Sequence, residues 1–98
     1  MSLPVIFRPE ARAEFDEAYD CYEGRKPGLG EAFAEQVKHL LERIVAMPKM
    51  HAAVFGEVRK AVVARFPYCV FYREEASCLR VLSVFHTSRD PHIWQSRA

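Results

Sequence analysis

The sequence predicts an α+β domain: an N-terminal strand, an antiparallel helical hairpin packed on an antiparallel sheet, and a short C-terminal helical turn. Three observations predict it. Two stretches in the first half repeat apolar residues at spacings of three and four, each making a single stripe. Three stretches in the second half are rich in β-branched and aromatic residues and are separated by turn residues. A helix with one apolar stripe needs a surface to lie on, and the strands supply it.

The first element is Leu3–Phe7, short and apolar, read as a strand. Pro9 opens the first helix, where its missing N–H costs nothing, and Glu10 suits the positive end of the helix dipole. Ala11, Phe15, Ala18, Tyr19 and Tyr22 form the stripe, and Gly24 is the predicted stop. Arg25–Gly30 reads as a turn. The second helix is expected from Glu31 to Met47, with Phe33, Val37, Leu40, Leu41 and Ile44 inward and Pro48 ending it. A meander of three antiparallel strands should follow, over Glu57–Phe66, Tyr68–Glu74 and Cys78–His86. Asp90 and Pro91 read as the N-cap and first position of a helical turn that ends near Trp94.

With 98 residues, half of them hydrophobic and 28% charged, a single globular domain over residues 1–98 is expected. The net charge of +1 hides an asymmetry. Residues 1–48 hold six Lys/Arg against nine Asp/Glu, whereas residues 49–98 hold eight against four. A basic second half suits phosphate or an acidic protein surface. Cys21, Cys69 and Cys78 are odd in number and lack a Cys-x-x-Cys pair, so neither a disulfide framework nor a zinc site is indicated. His39, His51, His86 and His92 have no metal-ligand spacing, and no glycine-rich phosphate loop is present; no metal and no cofactor are expected. Met1–Arg8 lacks a signal-peptide run and no stretch is long enough to span a bilayer, so the expectation is a cytoplasmic chain without a membrane partner.

Strand alternation groups Arg59, Ala61, Val63 and Arg65 on one face, and Arg80, Leu82, Val84 and His86 on one face of the last strand. If the helices cover the opposite faces, Arg59, Arg65, Arg80 and His86 share one sheet surface, rimmed by Arg73 or Arg89. Arginine's planar fork of donors matches phosphate and carboxylate. The plain alternative is a solvated face whose arginine stems cover Val63 and Leu82. Ser83, Ser88 and Cys69 have no evident base and orienter, so a nucleophilic triad is not indicated. Trp94 reads as a hydrophobic plug, with partner anchoring as the second reading.

The run Val58–Tyr68 with Val70-Phe71-Tyr72-Arg73, and Arg80–His86 followed by Arg89-Asp90-Pro91 and Trp94, resembles the strands and tail of ParE/RelE-type toxins. Phe7–Ala11, Glu14, Ala18-Tyr19 and Tyr22 resemble their start, so the similarity covers nearly the whole chain. The resemblance implies the toxin of a type II toxin–antitoxin pair, neutralised by a cognate ParD-like antitoxin in a hetero-oligomer, with DNA gyrase as the target in the ParE-like branch. The alternatives it implies are a RelE-like mRNA endonuclease acting on the ribosome, with Arg59, Arg65 and His86 as working residues, or an inactive remnant that only binds antitoxin. Thr87 rather than a tyrosine follows His86, and Tyr68 fills a slot that is basic in some nucleases; both departures favour the ParE-like branch. Arg59, Arg65, Tyr68, Arg73, Arg80, His86, Arg89 and Trp94 are the candidate target- or antitoxin-binding residues.

Overall fold

The computed structural model describes residues 3–98; Met1 and Ser2, the start of the Met1–Arg8 stretch considered above, lie outside the described residues. The order is β1 (Val5–Phe7), α1 (Pro9–Arg25), α2 (Leu29–Ala46), β2 (Ala53–Phe55), β3 (Val58–Val62), β4 (Tyr68–Glu74), β5 (Leu79–His86) and α3 (His92–Gln95). One five-stranded sheet runs β1-β5-β4-β3-β2. β2 through β5 are antiparallel neighbours, and β1 adds to β5 in parallel. The α+β class is as expected. Among the described residues no helix is long and apolar enough to cross a membrane.

Boundaries shift where local chemistry is stronger than the pattern. α1 runs through Gly24 to Arg25 and stops at Lys26, whose extended backbone (φ −156°, ψ 126°) is the conformation a following proline demands. Gly28 takes the left-handed turn (φ 89°), so α2 starts at Leu29 rather than Glu31. The predicted Glu57–Phe66 strand ends at Val62, because the β3–β4 turn holds Arg65 left-handed (φ 70°). The meander gains a strand, since Gly56 (φ 57°) turns the chain between Ala53–Phe55 and β3. The C-terminal helical turn begins one residue later than expected, at His92, so Pro91 rather than Asp90 stands at the N-cap; from the position before it, Asp90 Oδ1 accepts from the His92 N–H at 3.0 Å.

The helices pack on one face of the sheet. Their buried residues Ala11, Ala18, Phe33, Val37, Leu40 and Ile44 meet Ala61, Val63, Val70, Tyr72, Leu79, Val81 and Val84. Phe33 lies in an aromatic cluster, with ring centroids 5.1–5.7 Å from Phe15, Tyr22, Phe66 and Tyr68. The other face carries a smaller core of Val58, Cys69, Phe71, Leu82, Phe85 and Trp94. Both faces of β4 and β5 are therefore buried, which explains why those strands read as continuous apolar runs.

The hairpin closes tightly at Gly30. A Cβ there would stand 2.4 Å from Glu23 Cγ and 2.7 Å from the Tyr19 carbonyl oxygen. The Glu23 side chain could move aside, but the Tyr19 carbonyl is helix backbone. Glu23 also accepts the Gly30 N–H at 2.8 Å, satisfying one of the free donors at the start of α2. We expect Gly30→Ala to push the helices apart and lose about 1–3 kcal/mol, despite alanine's better helix propensity. A urea midpoint equal to or above that of the unchanged chain would contradict this close contact.

Candidate functional site

The arginine surface expected from alternation does not form. β3 turns Ala61 and Val63 toward the helices, and Arg59 with them. Val58 and Val62 alternate to the outer face, where Val58 joins the smaller core. In β5 the alternation itself breaks. Phe71 pairs with Ser83 and Tyr72 with Val81, leaving Leu82 as a bulged residue. Leu79, Val81 and Val84 consequently face the helices, while Leu82 and Phe85 face away.

The candidate residues separate into five places. Arg59, on the helix side, is spent on structure: Nη1 donates to the His51 carbonyl at 2.5 Å and the Lys49 carbonyl at 3.3 Å, tying down the loop after α2. Burial, and then the charges of Arg43 and Arg59, hold His51 below the usual histidine range. Arg65 is exposed in the β3–β4 turn. Arg73 and Arg80 are cross-strand neighbours on the outer face, and both grip Glu75, at 3.1 and 3.3 Å. Those bonds, Arg80's first, hold the Glu75 carboxyl below the ordinary range, so one carboxylate is shared by two guanidinium groups and the triad keeps one positive charge. His86, at the end of β5, is on the helix side with Tyr68, ring centroids 5.1 Å apart.

His86 is held in one orientation. The Ser88 N–H donates to its Nδ1 at 3.1 Å, and Ser88 Oγ lies 2.7 Å from the same atom. Its neutral form therefore carries the proton on Nε2. His86, Tyr68, Glu17, Cys21 and Arg89 line a small cleft beside α1. Burial raises the Tyr68 hydroxyl above its ordinary range, so it stays protonated. Arg59 is far from this cleft. It pairs with Tyr72 and His86 pairs with Tyr68, four residues apart along β4, about 13 Å at the usual strand rise. Trp94 is buried as the expected plug, stacked on Phe71 at 3.8 Å and 14°.

Sequence reading missed two features. The first is a groove of ≈ 580 Å³ between β1 and the outer flank of the hairpin. Phe7, Phe15, Val37, Leu41 and Val45 give it an apolar lining, with Arg12, Lys38 and Glu42 as its charged members. The extra position in the α2 stripe was its signal: Leu41 stands beside Leu40, and the stripe is wider than one sheet contact requires. The second is a network at the bulge. Glu14 Oε1 accepts from Ser83 Oγ at 2.8 Å, the Val84 N–H at 3.2 Å and Arg97 Nη1 at 2.9 Å. Arg97 Nη1 also donates to the Leu82 carbonyl at 3.1 Å, and Arg8 Nη1 to the Arg97 carbonyl at 3.2 Å. The C-terminus is thereby clasped to α1 across the bulged strand. No sequence pattern marks it, since its partners lie 69 and 83 residues apart.

Comparison with known proteins gives a family and a fold. The family model described as the ParE toxin of the type II toxin–antitoxin system parDE matches residues 5–91. Among solved structures, the chromosomal ParDE toxin–antitoxin system from P. aeruginosa superposes with a TM-score of 0.76 at 15% identity, covering 89% of this chain and 98% of that one. No curated protein matches the chain.

Proposed function

The chain belongs to the family of ParE toxins of type II toxin–antitoxin systems, and from that premise we propose that it is held inactive by a cognate ParD-like antitoxin and poisons DNA gyrase when released. The observation that carries this reading is the extent of the match, from the first residue of β1 to the residue before α3. Every element that builds the groove and the sheet falls inside it.

The groove supports the antitoxin half of the reading. An apolar channel bounded by two helices and an edge strand suits the apolar face of an amphipathic helix, with Arg12, Lys38 and Glu42 setting its direction by charge. An antitoxin segment that is disordered alone and folds on docking could cover this groove and continue around the molecule, giving a toxin–antitoxin hetero-oligomer.

The dispersal of basic residues supports gyrase over the ribosome. A nuclease working on Arg59, Arg65 and His86 needs them around one phosphodiester, within hydrogen-bond reach. Arg59 is engaged by two backbone carbonyls and lies far along β4 from His86. The target contact would then draw on Arg65, Tyr68, His86 and Arg89.

Expression of the chain alone in a bacterial host should produce DNA breaks and an SOS response while mRNA stays intact. The purified toxin should inhibit gyrase supercoiling. Rapid mRNA cleavage abolished by His86→Ala would instead establish the nuclease, and unaffected growth under strong induction would leave an antitoxin-binding remnant.

A further inference from the structure

We propose that the outer face of the sheet carries a second docking site, which takes an acidic segment of a partner protein by one inserted aliphatic or aromatic side chain. The site is a pocket of ≈ 220 Å³. Cys69, Phe71 and Phe85 line it from β4 and β5, Trp94 from α3, and Lys60 and Arg89 are its charged members. It is on the sheet face opposite the helical hairpin, so it is separate from the groove proposed for the antitoxin.

Charge selects the ligand. No carboxylate lines the pocket, in contrast to the groove, where Glu42 accompanies Arg12 and Lys38. Lys60 is exposed and has no ion-pair partner among the described residues. Arg89 is half exposed, and its one carboxylate partner among the described residues is Glu17, at 4.0 Å. Two cations beside an apolar cavity favour a side chain flanked by carboxylates.

Size and packing favour a peptide over a nucleotide. The volume is below the roughly 300–1,000 Å³ of small-molecule sites but has room for one large side chain. Recognition of single-stranded nucleic acid relies on free aromatic faces on which bases stack. Here the aromatic rings that line the pocket are spent on one another: Trp94 lies flat on Phe71, Phe85 meets Phe71 at 5.9 Å and 68°, and all three are at most 5% exposed. The apolar surface beside the pocket is open instead. Val54 lines it at 46% exposure, and Val62, paired with Cys69 across the strands, is 63% exposed. An apolar patch with a cationic rim is the anatomy of a protein–protein contact. The pocket shares Arg89 with the cleft proposed for the target contact, but the inference does not depend on the gyrase reading, because the pocket selects a chemistry whichever protein carries it.

The test is an amide-shift titration of the intact chain with a blocked pentapeptide holding leucine between aspartate and glutamate. Its counterpart with asparagine and glutamine, and an eight-nucleotide oligothymidylate, serve as the other probes. The acidic peptide should move the Cys69, Phe71 and Phe85 amides and the Trp94 indole N–H saturably, with the neutral peptide about threefold to tenfold weaker. Lys60→Glu with Arg89→Glu, both at exposed positions, should remove that preference while leaving spectral dispersion unchanged. Absence of saturable shifts at these positions, or equal binding of the two peptides, would overturn the proposal. So would oligothymidylate moving the same signals at a lower concentration, which would reassign the pocket to nucleic acid.

Discussion

Phe33→Ala should cost about 3–5 kcal/mol, as expected for emptying the site of a buried phenylalanine. Phe33 is fully buried where α2 crosses the sheet, and its ring contacts come from three separate segments: Phe15 and Tyr22 on α1, Phe66 in the β3–β4 turn, and Tyr68 at the start of β4. None of these neighbours can collapse into the void without leaving its own contacts, so most of the cavity should persist. A domain of this size has about 5–15 kcal/mol of total stability. Each kcal/mol is worth about 4–8 °C in Tm, so the variant should melt far below the unchanged chain, or not fold at all. Phe33→Leu, which keeps most of the volume, should retain most of the stability. Equal melting of the alanine variant and the unchanged chain would mean that the aromatic cluster does not organise the core. The same substitution bears on function, since Phe15 lines the proposed antitoxin groove and loses its stacking partner.

Glu14→Ala should lose about 3 kcal/mol, an unusually large effect for a carboxylate on a helix. Its side chain and that of Arg97 are 12% and 13% exposed, and they meet at 2.9 Å. Removing the carboxylate leaves the Ser83 hydroxyl and the Val84 N–H without their acceptor, and the Arg97 guanidinium without a counter-charge beside the Leu82 carbonyl it keeps, in a largely buried setting. Asymmetry is the diagnostic. Arg97→Met takes the charge away from the other side and leaves Glu14 with two donors, so it should cost less than Glu14→Ala. The double variant should be less destabilised than the sum of the two, because the stranded guanidinium is gone. Additive losses in a denaturant double-mutant cycle would argue against a coupled network. The network also seats the bulge at Leu82, so Glu14→Ala should speed amide exchange along β5 and α3 ahead of global unfolding.

Sequence alone determined the element types and their order apart from the short strand Ala53–Phe55, because these follow from local periodicity and local breakers. The α2 stripe of Phe33, Val37, Leu40 and Ile44 is buried as its spacing required. The apolar runs of β4 and β5 are strands, Asp90 accepts from the first N–H of the last helical turn, and Trp94 is a plug. The family resemblance was equally readable, because its residues stand in contiguous runs. The tertiary structure decided what depends on partners distant in the chain. Which face of β3 meets the helices is settled only in the assembled fold, where Ala61 went inward and carried Arg59 with it. A single bulged residue, Leu82, reversed the facing of everything after it in β5, which moved His86 away from Arg80. The groove exists only because β1 adds in parallel to a strand more than seventy positions later, leaving a channel between itself and the hairpin. Alternation and periodicity specify which residues share a face. They carry no information about which face is covered, and here that choice separated the basic residues that alternation had placed on one surface.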